Sequence, residues 1–391
     1  MSTARSTRRL VLLVALLAVT VAACGAPTTS AASPDGRAEL VDRWRQRAEV
    51  PAVVVALDAA GRALEVHASG SPRRGGRAPV PVDARFRVAS ITKTLVATVV
   101  LQLVAEGRVR LEAPVRAVLP DAAAGITVRQ LLDHTSGLPD HSRLDGFSDG
   151  LLRDRDRVWT PAELLALVEQ YDHDFPPGTD WSYSNTGYVL LGELVGAVTG
   201  RPWAAEVRTR ILDPLGMRST WTGGAEPARG VVLPGYGDGD GDGDEEDLET
   251  GGPWPSLETS EGAAGAVVST AQDLARFGAA LFRGRLLPPE LLQEMVTPTP
   301  FGARNAGYGL GVEVTRPDYR TTTWGNGGFL PGFRSTLQYL PDEDLVVVVL
   351  ANTSSAAPAD LAELLTRSVR RERDVRAQTA ASVPATTIPV S

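Results

Sequence analysis

The β-rich runs of this 391-residue chain fall at the two ends of its body and hardly at all between them. P-A-V-V-V-A-L-D (51–58) and A-L-E-V-H-A-S-G (63–70) flank the turn A-A-G-R, the pattern of a hairpin. A second group lies near the other end: Y-G-L-G-V-E-V-T (308–315), Y-R-T-T-T-W-G (319–325), F-R-S-T-L-Q-Y-L (333–340) and L-V-V-V-V-L-A-N (345–352). A helix is expected from about Ala359 to Arg371. Between the groups the apolar period is helical, over 92–106, 161–170, 188–199 and 271–281. Strands at both ends with helices between predict an α+β fold. One antiparallel sheet is assembled from both chain ends and flanked by helices, beside a mostly helical lobe. A ligand cleft is then expected between lobe and sheet.

These runs set the expected limits: a domain over 38–370, with sheet parts at about 38–88 and 305–370 and the lobe at about 90–300. The stretch before it, 24–37, is small and polar and reads as a flexible tether, and 371–391 as a disordered tail. At the N-terminus, Arg5, Arg8 and Arg9 precede a 14-residue apolar run, Leu10–Ala23. That is short against the about 20 residues of a membrane span and matches a signal-peptide core. The run ends V-A-A-C, and Cys24 is the only cysteine, so no intramolecular disulfide forms. Small residues before a single Cys resemble the lipobox of bacterial lipoproteins. This resemblance implies a lipoprotein signal peptide at 1–23 and lipid attachment at Cys24, leaving an extracytoplasmic protein anchored to the cell membrane. The net charge of −8 without a basic stripe argues against nucleic acid as a partner.

Chemistry concentrates around V-A-S-I-T-K-T-L (88–95). Lys93 is the chain's only lysine, because Lys and Arg total 39 and the other 38 are arginines. It follows Ser90 by three residues at the start of a helical run, so the two side chains share a helix face. A helix N-terminus favours developing negative charge. A serine needs a neighbour to take its proton, which a buried lysine can do and an arginine cannot. The second element is Tyr183-Ser184-Asn185, in a loop after Pro176, Pro177 and Gly178, leading to a helix beginning near Tyr188. A phenol can shuttle protons beside a lysine, and an amide can hold a substrate carbonyl.

Ser-x-x-Lys followed by Tyr-Ser-Asn resembles the penicillin-recognising serine hydrolases, in the branch of class C β-lactamases, D,D-carboxypeptidases and family VIII esterases. Four further stretches are similar: I-T-V-R-Q-L-L-D-H-T-S-G-L-P (126–139), F-P-P-G-T-D-W-S-Y-S-N-T-G-Y (175–188), I-L-D-P-L-G-M-R-S-T (211–220) and A-A-G-A-V-V-S-T-A-Q-D-L-A-R-F (263–277). The resemblance implies a β-lactamase/transpeptidase-like fold and an acyl-enzyme on Ser90, with Lys93 and Tyr183 moving protons. It also implies substrate contacts from Asn185 and an oxyanion hole from the backbone N–H groups of Ser90 and Phe329. The family's third motif, Lys or His followed by a small residue and Gly, falls at Asn326-Gly327-Gly328. Asn326 is neutral at all pH, where the family's basic residue helps bind a substrate carboxylate. Asn326, Gly328 and Phe329 are therefore expected to line the substrate site, with small molecules or peptides, peptidoglycan among them, as partners. The expected substrate carbonyl is an ester, an amide, or a cell-wall D-peptide or β-lactam, with neutral esters or amides left open by Asn326. The alternative is a catalytically impaired lipoprotein that keeps the fold to bind peptidoglycan or a protein.

Three other patterns carry less. D-G-D-G-D-G-D-E-E-D-L-E (238–249) matches a calcium loop, but lacks flanking helices and reads as part of a solvated insertion, 237–252. Gly146-Phe147-Ser148-Asp149-Gly150 matches a nucleophile elbow without the preceding strand. His67, His134 and His141 show no metal spacing, and His134 reads as structural, in a turn before Gly137. No phosphate loop or dinucleotide fingerprint is present, so no cofactor is expected.

Overall fold

A computed structural model describes residues 35–117, 119, 125–238, 245–248, 252–301, 306–316 and 321–381. The expected signal peptide, Cys24 and most of the 24–37 tether lie outside the described residues, as does most of the calcium-like loop. Among the described residues no helix is long and apolar enough to cross a membrane.

Seven strands form the main sheet: β1 (Ala52–Ala59), β2 (Glu65–Gly70), β3 (Ala306–Tyr308), β4 (Glu313–Thr315), β5 (Thr323–Leu330), β6 (Phe333–Leu340) and β7 (Leu345–Ala351). Their spatial order is β2-β1-β7-β6-β5-β4-β3, so the two chain ends meet where β1 pairs antiparallel with β7, Val53 opposite Ala351. The expected antiparallel sheet built from both ends is observed. Its central strands are apolar throughout because both faces are covered. Val54, Ala56, Val346, Val348 and Leu350 pack into one core. Val53, Val55, Leu57, Val347 and Val349 alternate into the other.

Two helices cover that second face, α1 (Asp35–Arg47) and the C-terminal α6 (Pro358–Ala381), with Val41, Leu361, Leu365 and Val369 buried against the strands. This corrects three expectations. The body begins with a helix, and Arg37, placed in the tether, is buried. The tail is helical as far as Ala381, so only 382–391 lie outside the described residues. Charge-rich composition suggested disorder, but the charges have partners: Glu372 is buried, pairs with Arg37, and accepts from Arg62 Nη1 at 3.0 Å.

On the first face lie α2 (Ile91–Ala105) and, later in the chain, α5 (Ala271–Phe282). Between them in sequence come α3 (Asn185–Thr199) and α4 (Pro255–Gly265). Helix α5 belongs to the sheet layer although it falls inside the 90–300 range assigned to the lobe, because Phe277, Leu281 and Phe282 pack into the sheet's core. Helix α2 is apolar all round and sits between sheet and lobe, with Leu95, Val96, Val99 and Val100 all buried. Its N-terminus opens at the junction of the two layers. The described flank of the acidic insertion is tied down rather than free. Glu246–Asp247 pairs with Tyr236–Gly237, and Glu245 accepts from Arg74 Nη2 at 2.7 Å and from the Ser355 N–H at 3.0 Å.

Candidate active site

A short strand, Phe86–Arg87, leads into α2 and pairs with Val267–Ser269. The turn between strand and helix is held from both layers. Val88 N–H donates to Val267 O at 3.0 Å, and Ser335 Oγ of β6 donates to Val88 O at 2.9 Å. Ala89 takes φ +50°, a left-handed conformation costing an alanine about 1 kcal/mol, and this sets Ser90 as the N-terminal cap residue of α2. Ser90 and Lys93 are thus one turn apart at a helix N-terminus, as their spacing predicted.

Lys93 is fully buried. Its Nζ lies 3.1 Å from Ser90 Oγ, 2.6 Å from Asn185 Oδ1 and 2.8 Å from Ala264 O. A neutral amine has two N–H bonds and one lone pair. The Asn185 and Ala264 oxygens can only accept, so they take both N–H bonds and leave the lone pair to Ser90. Burial lowers the Lys93 pKa to about 8, partly opposed by the negative charges of Glu261 and Asp140. Asn185 is oriented in turn: its Nδ2 donates to Ser142 Oγ at 2.9 Å and to both Asp140 oxygens at 3.3 Å.

Tyr183 Oη donates to Ser90 Oγ at 2.7 Å. Burial, with the nearby Tyr308 phenol, pushes the Tyr183 pKa well above its ordinary value. The phenol therefore keeps its proton at rest and is a donor, while Lys93 is the base. Helix α3 begins at Asn185, three residues earlier than expected, which places Asn185 on the first turn facing Lys93. His134 supports this loop. It takes φ +62°, is buried, and its Nδ1 accepts the Ser184 N–H at 3.2 Å. Its ring packs on Tyr183 at 4.4 Å between centroids. Burial lowers the His134 pKa well below the ordinary imidazole value, so it stays neutral and structural, as expected.

Strand β5 closes the other side. Its pairing with β4 ends at Gly325, so the edge from Asn326 to Leu330 is open and borders the cleft. N–H groups alternate between the two edges of a strand, and that of Gly327 reaches Glu313 on the open side, so the Phe329 N–H points the same way. This is the orientation that an oxyanion hole shared with the Ser90 N–H requires. Gly328 makes the approach possible: a Cβ there would lie 2.2 Å from Ser335 Oγ and 2.4 Å from Val88 O. Phe329 itself is exposed, with the Arg334 guanidinium 4.1 Å from its ring centroid. Arg334 Nε donates to Ser354 O at 2.9 Å. Asn326 is buried, and its Nδ2 donates to Tyr308 Oη at 3.2 Å and more weakly to Thr94 Oγ1 at 3.5 Å.

Ser90, Tyr183, Asn185, Asn326, Gly328 and Phe329 all line one cleft of about 860 Å³, with Lys93 beneath it. Sequence reasoning missed Asp140, Ser142, Glu261, Tyr308 and Glu313. Asp140 and Ser142 follow directly on the quoted H-T-S-G-L-P stretch, the one local signal available for them. Ser148 of the rejected elbow is exposed on a helix, Phe147–Arg153, and no strand leads into it. Among the described residues no cluster of His, Cys, Asp and Glu could hold a metal.

A family model described as Beta-lactamase matches residues 37–370. Penicillin-binding protein 4 of Amycolatopsis lactamdurans is 34% identical over 248 residues, covering 61% of this chain and 61% of that protein. Esterase EstB of Burkholderia gladioli is 38% identical over 206 residues, covering 48% of this chain and 51% of the esterase. The chain thus spans only 51–61% of the length of these two relatives. Among solved structures, a D-stereospecific amidohydrolase from Streptomyces sp. superimposes with a TM-score of 0.72 at 34% identity, covering 84% of this chain and 97% of that one. The D-amino acid amidase from Ochrobactrum anthropi SV3, complexed with L-phenylalanine, gives a TM-score of 0.77 at 28% identity, covering 87% and 99%.

Proposed function

The chain belongs to the Beta-lactamase family, and from that premise we propose that it is a serine hydrolase forming an acyl-enzyme on Ser90 with amide or ester substrates. One observation carries this: Ser90 Oγ meets a buried amine at 3.1 Å and a phenol at 2.7 Å, at the floor of an open cleft. Ser90 Oγ attacks the carbonyl carbon and its proton passes to the lone pair of Lys93. The oxyanion is held by the N–H groups of Ser90 and Phe329. Tyr183 gives its proton to the leaving group and regains one from the Lys93 ammonium, which restores both groups. A water then repeats the sequence on the acyl-enzyme, with Ser90 as leaving group. The assembled Ser90–Lys93–Tyr183 unit favours this over a binding protein without turnover.

D-amino acid amides, short D-peptides and small esters are the substrate classes, on the names of the relatives and the neutrality of Asn326. Hydrolysis of D-phenylalanine amide and p-nitrophenyl butyrate tests the reading. Turnover by the wild type that falls by roughly 10³-fold or more in Ser90→Ala is expected, and equal turnover in the mutant would sink it. The reading further places the enzyme outside the cytoplasmic membrane, cut before Cys24 and lipidated there, with peptidoglycan within reach. The V-A-A-C junction supports this, and intact mass of membrane-extracted protein checks it. A mature chain beginning at Cys24 and carrying a diacylglyceryl mass is expected; an unmodified thiol would refute the anchor.

A further inference from the structure

The charge of the leaving-group side of the cleft follows from the groups around Asn326 and Gly327. Tyr188 Oη donates to Leu132 O at 3.0 Å, so towards Tyr308 it can only accept. The Tyr308 phenol is buried beside that of Tyr188. Its own oxygen accepts from Asn326 Nδ2 at 3.2 Å. Thr94 Oγ1 likewise spends its proton on Gly311 O at 2.9 Å and is left to accept from the same Nδ2. Thr94 therefore demands the nitrogen of the Asn326 amide, which also reaches Tyr308. Its Oδ1 is buried and, among the described residues, has no donor. One residue further along the open edge, Gly327 faces the Glu313 side chain, which lines the same cleft; burial raises the Glu313 pKa, and the Gly327 N–H opposes that shift.

The proposed mechanism puts the leaving group on the Tyr183 side of the cleft, which Asn326 and Glu313 also line. Tyr183 delivers the proton there, and Tyr308, the partner of Asn326, packs edge-on against Tyr183 with centroids 6.4 Å apart. Among the described residues the arginines that line the cleft are Arg143, which pairs with Asp140 at 3.6 Å, and Arg334, whose Nε donates to Ser354 O and whose guanidinium lies over Phe329. The Glu313 side chain thus lines the cleft with an unpartnered amide oxygen buried nearby, and among the described residues no ion pair to Glu313 is formed. A carboxylate brought there meets like charge and an uncompensated oxygen, whereas an ammonium offsets both.

We propose that Glu313 makes the leaving-group side a subsite for cationic or neutral amines and alcohols, closed to leaving groups that carry a carboxylate. This rests on the serine-hydrolase reading. It distinguishes an amidase-like specificity from removal of a C-terminal residue bearing a free carboxylate.

The test uses three D-phenylalanyl amides of two-carbon amines ending in methyl, ammonium or carboxylate. D-Phenylalanine amide, compared between wild type and Ser90→Ala, monitors the underlying reading in the same preparations. The expected kcat/KM for the ammonium member exceeds that for the carboxylate member by roughly tenfold or more, with the methyl member between. In Glu313→Gln the ratio is expected to shrink to about threefold or less, chiefly through faster hydrolysis of the carboxylate member. A wild type that hydrolyses the carboxylate amide as fast as the ammonium amide overturns the proposal. So does a ratio that Glu313→Gln leaves unmoved. Absence of D-phenylalanine amide hydrolysis in the wild type overturns the serine-hydrolase reading, and this proposal with it.

Discussion

Replacing Lys93 with arginine keeps the positive charge and removes the base. Lys93→Arg is expected to lower kcat by roughly 10³-fold or more, because a guanidinium cannot accept the Ser90 proton. Steady-state rates beside a thermal melt separate this from misfolding. The neutral amine is the active form and its pKa lies at about 8, so kcat/KM is expected to rise with pH through about 8. The Glu261 carboxylate raises that pKa, and Glu261→Gln removes the effect, so the rising limb is expected to move to lower pH. A pH–rate profile of the two proteins checks the sign. Ser90, Lys93, Tyr183 and Asn185 were legible because their chemistry is written in short spacings. Glu261, Tyr308 and Glu313 were not, because each reaches the site from a separate element without a motif of its own, and Asp140 is marked only by the stretch it follows. Asn326 was legible as a departure, but its orientation was not, since that depends on Tyr308 and Thr94 acting through space.

At the scale of elements, the edge of β5 and the cap of α2 must approach within backbone contact. Gly328→Ala puts a methyl group 2.4 Å from Val88 O and forces the two apart. A fall in kcat of roughly 10²-fold with a small change in stability is expected, measured by kinetics and melting of one preparation. The strands β1 and β7 were readable as runs because burial on both faces makes them apolar throughout. The end of α6 was not, because its charged composition imitates a solvated tail. Its solution is the buried contact of Arg37 with Glu372. Glu372→Ala leaves Arg37 with Glu65 alone, at 3.4 Å, and is expected to cost about 2 kcal/mol, a drop of several degrees in Tm by calorimetry.

For the whole molecule, the catalytic groups are divided between layers. Ser90 and Lys93 stand on α2, Tyr183 and Asn185 on the lobe, Asn326 and Phe329 on the sheet. A ligand bonded to Ser90 and held by the Phe329 N–H ties the layers together. An arylboronic acid is therefore expected to raise the Tm of the wild type and not of Ser90→Ala, by about 2.7 kcal/mol of added stability at 100 times its Kd. Differential scanning fluorimetry reads this without any turnover.

Lys93 is the sole lysine and none of it reaches the surface. The exterior of the described fold therefore offers no side-chain primary amine to acylating or cross-linking reagents, which sets this protein apart from most conjugation and immobilisation schemes. Any amine-directed label that does enter the folded chain by a side chain has reported, at a single position, that the floor of the cleft was opened.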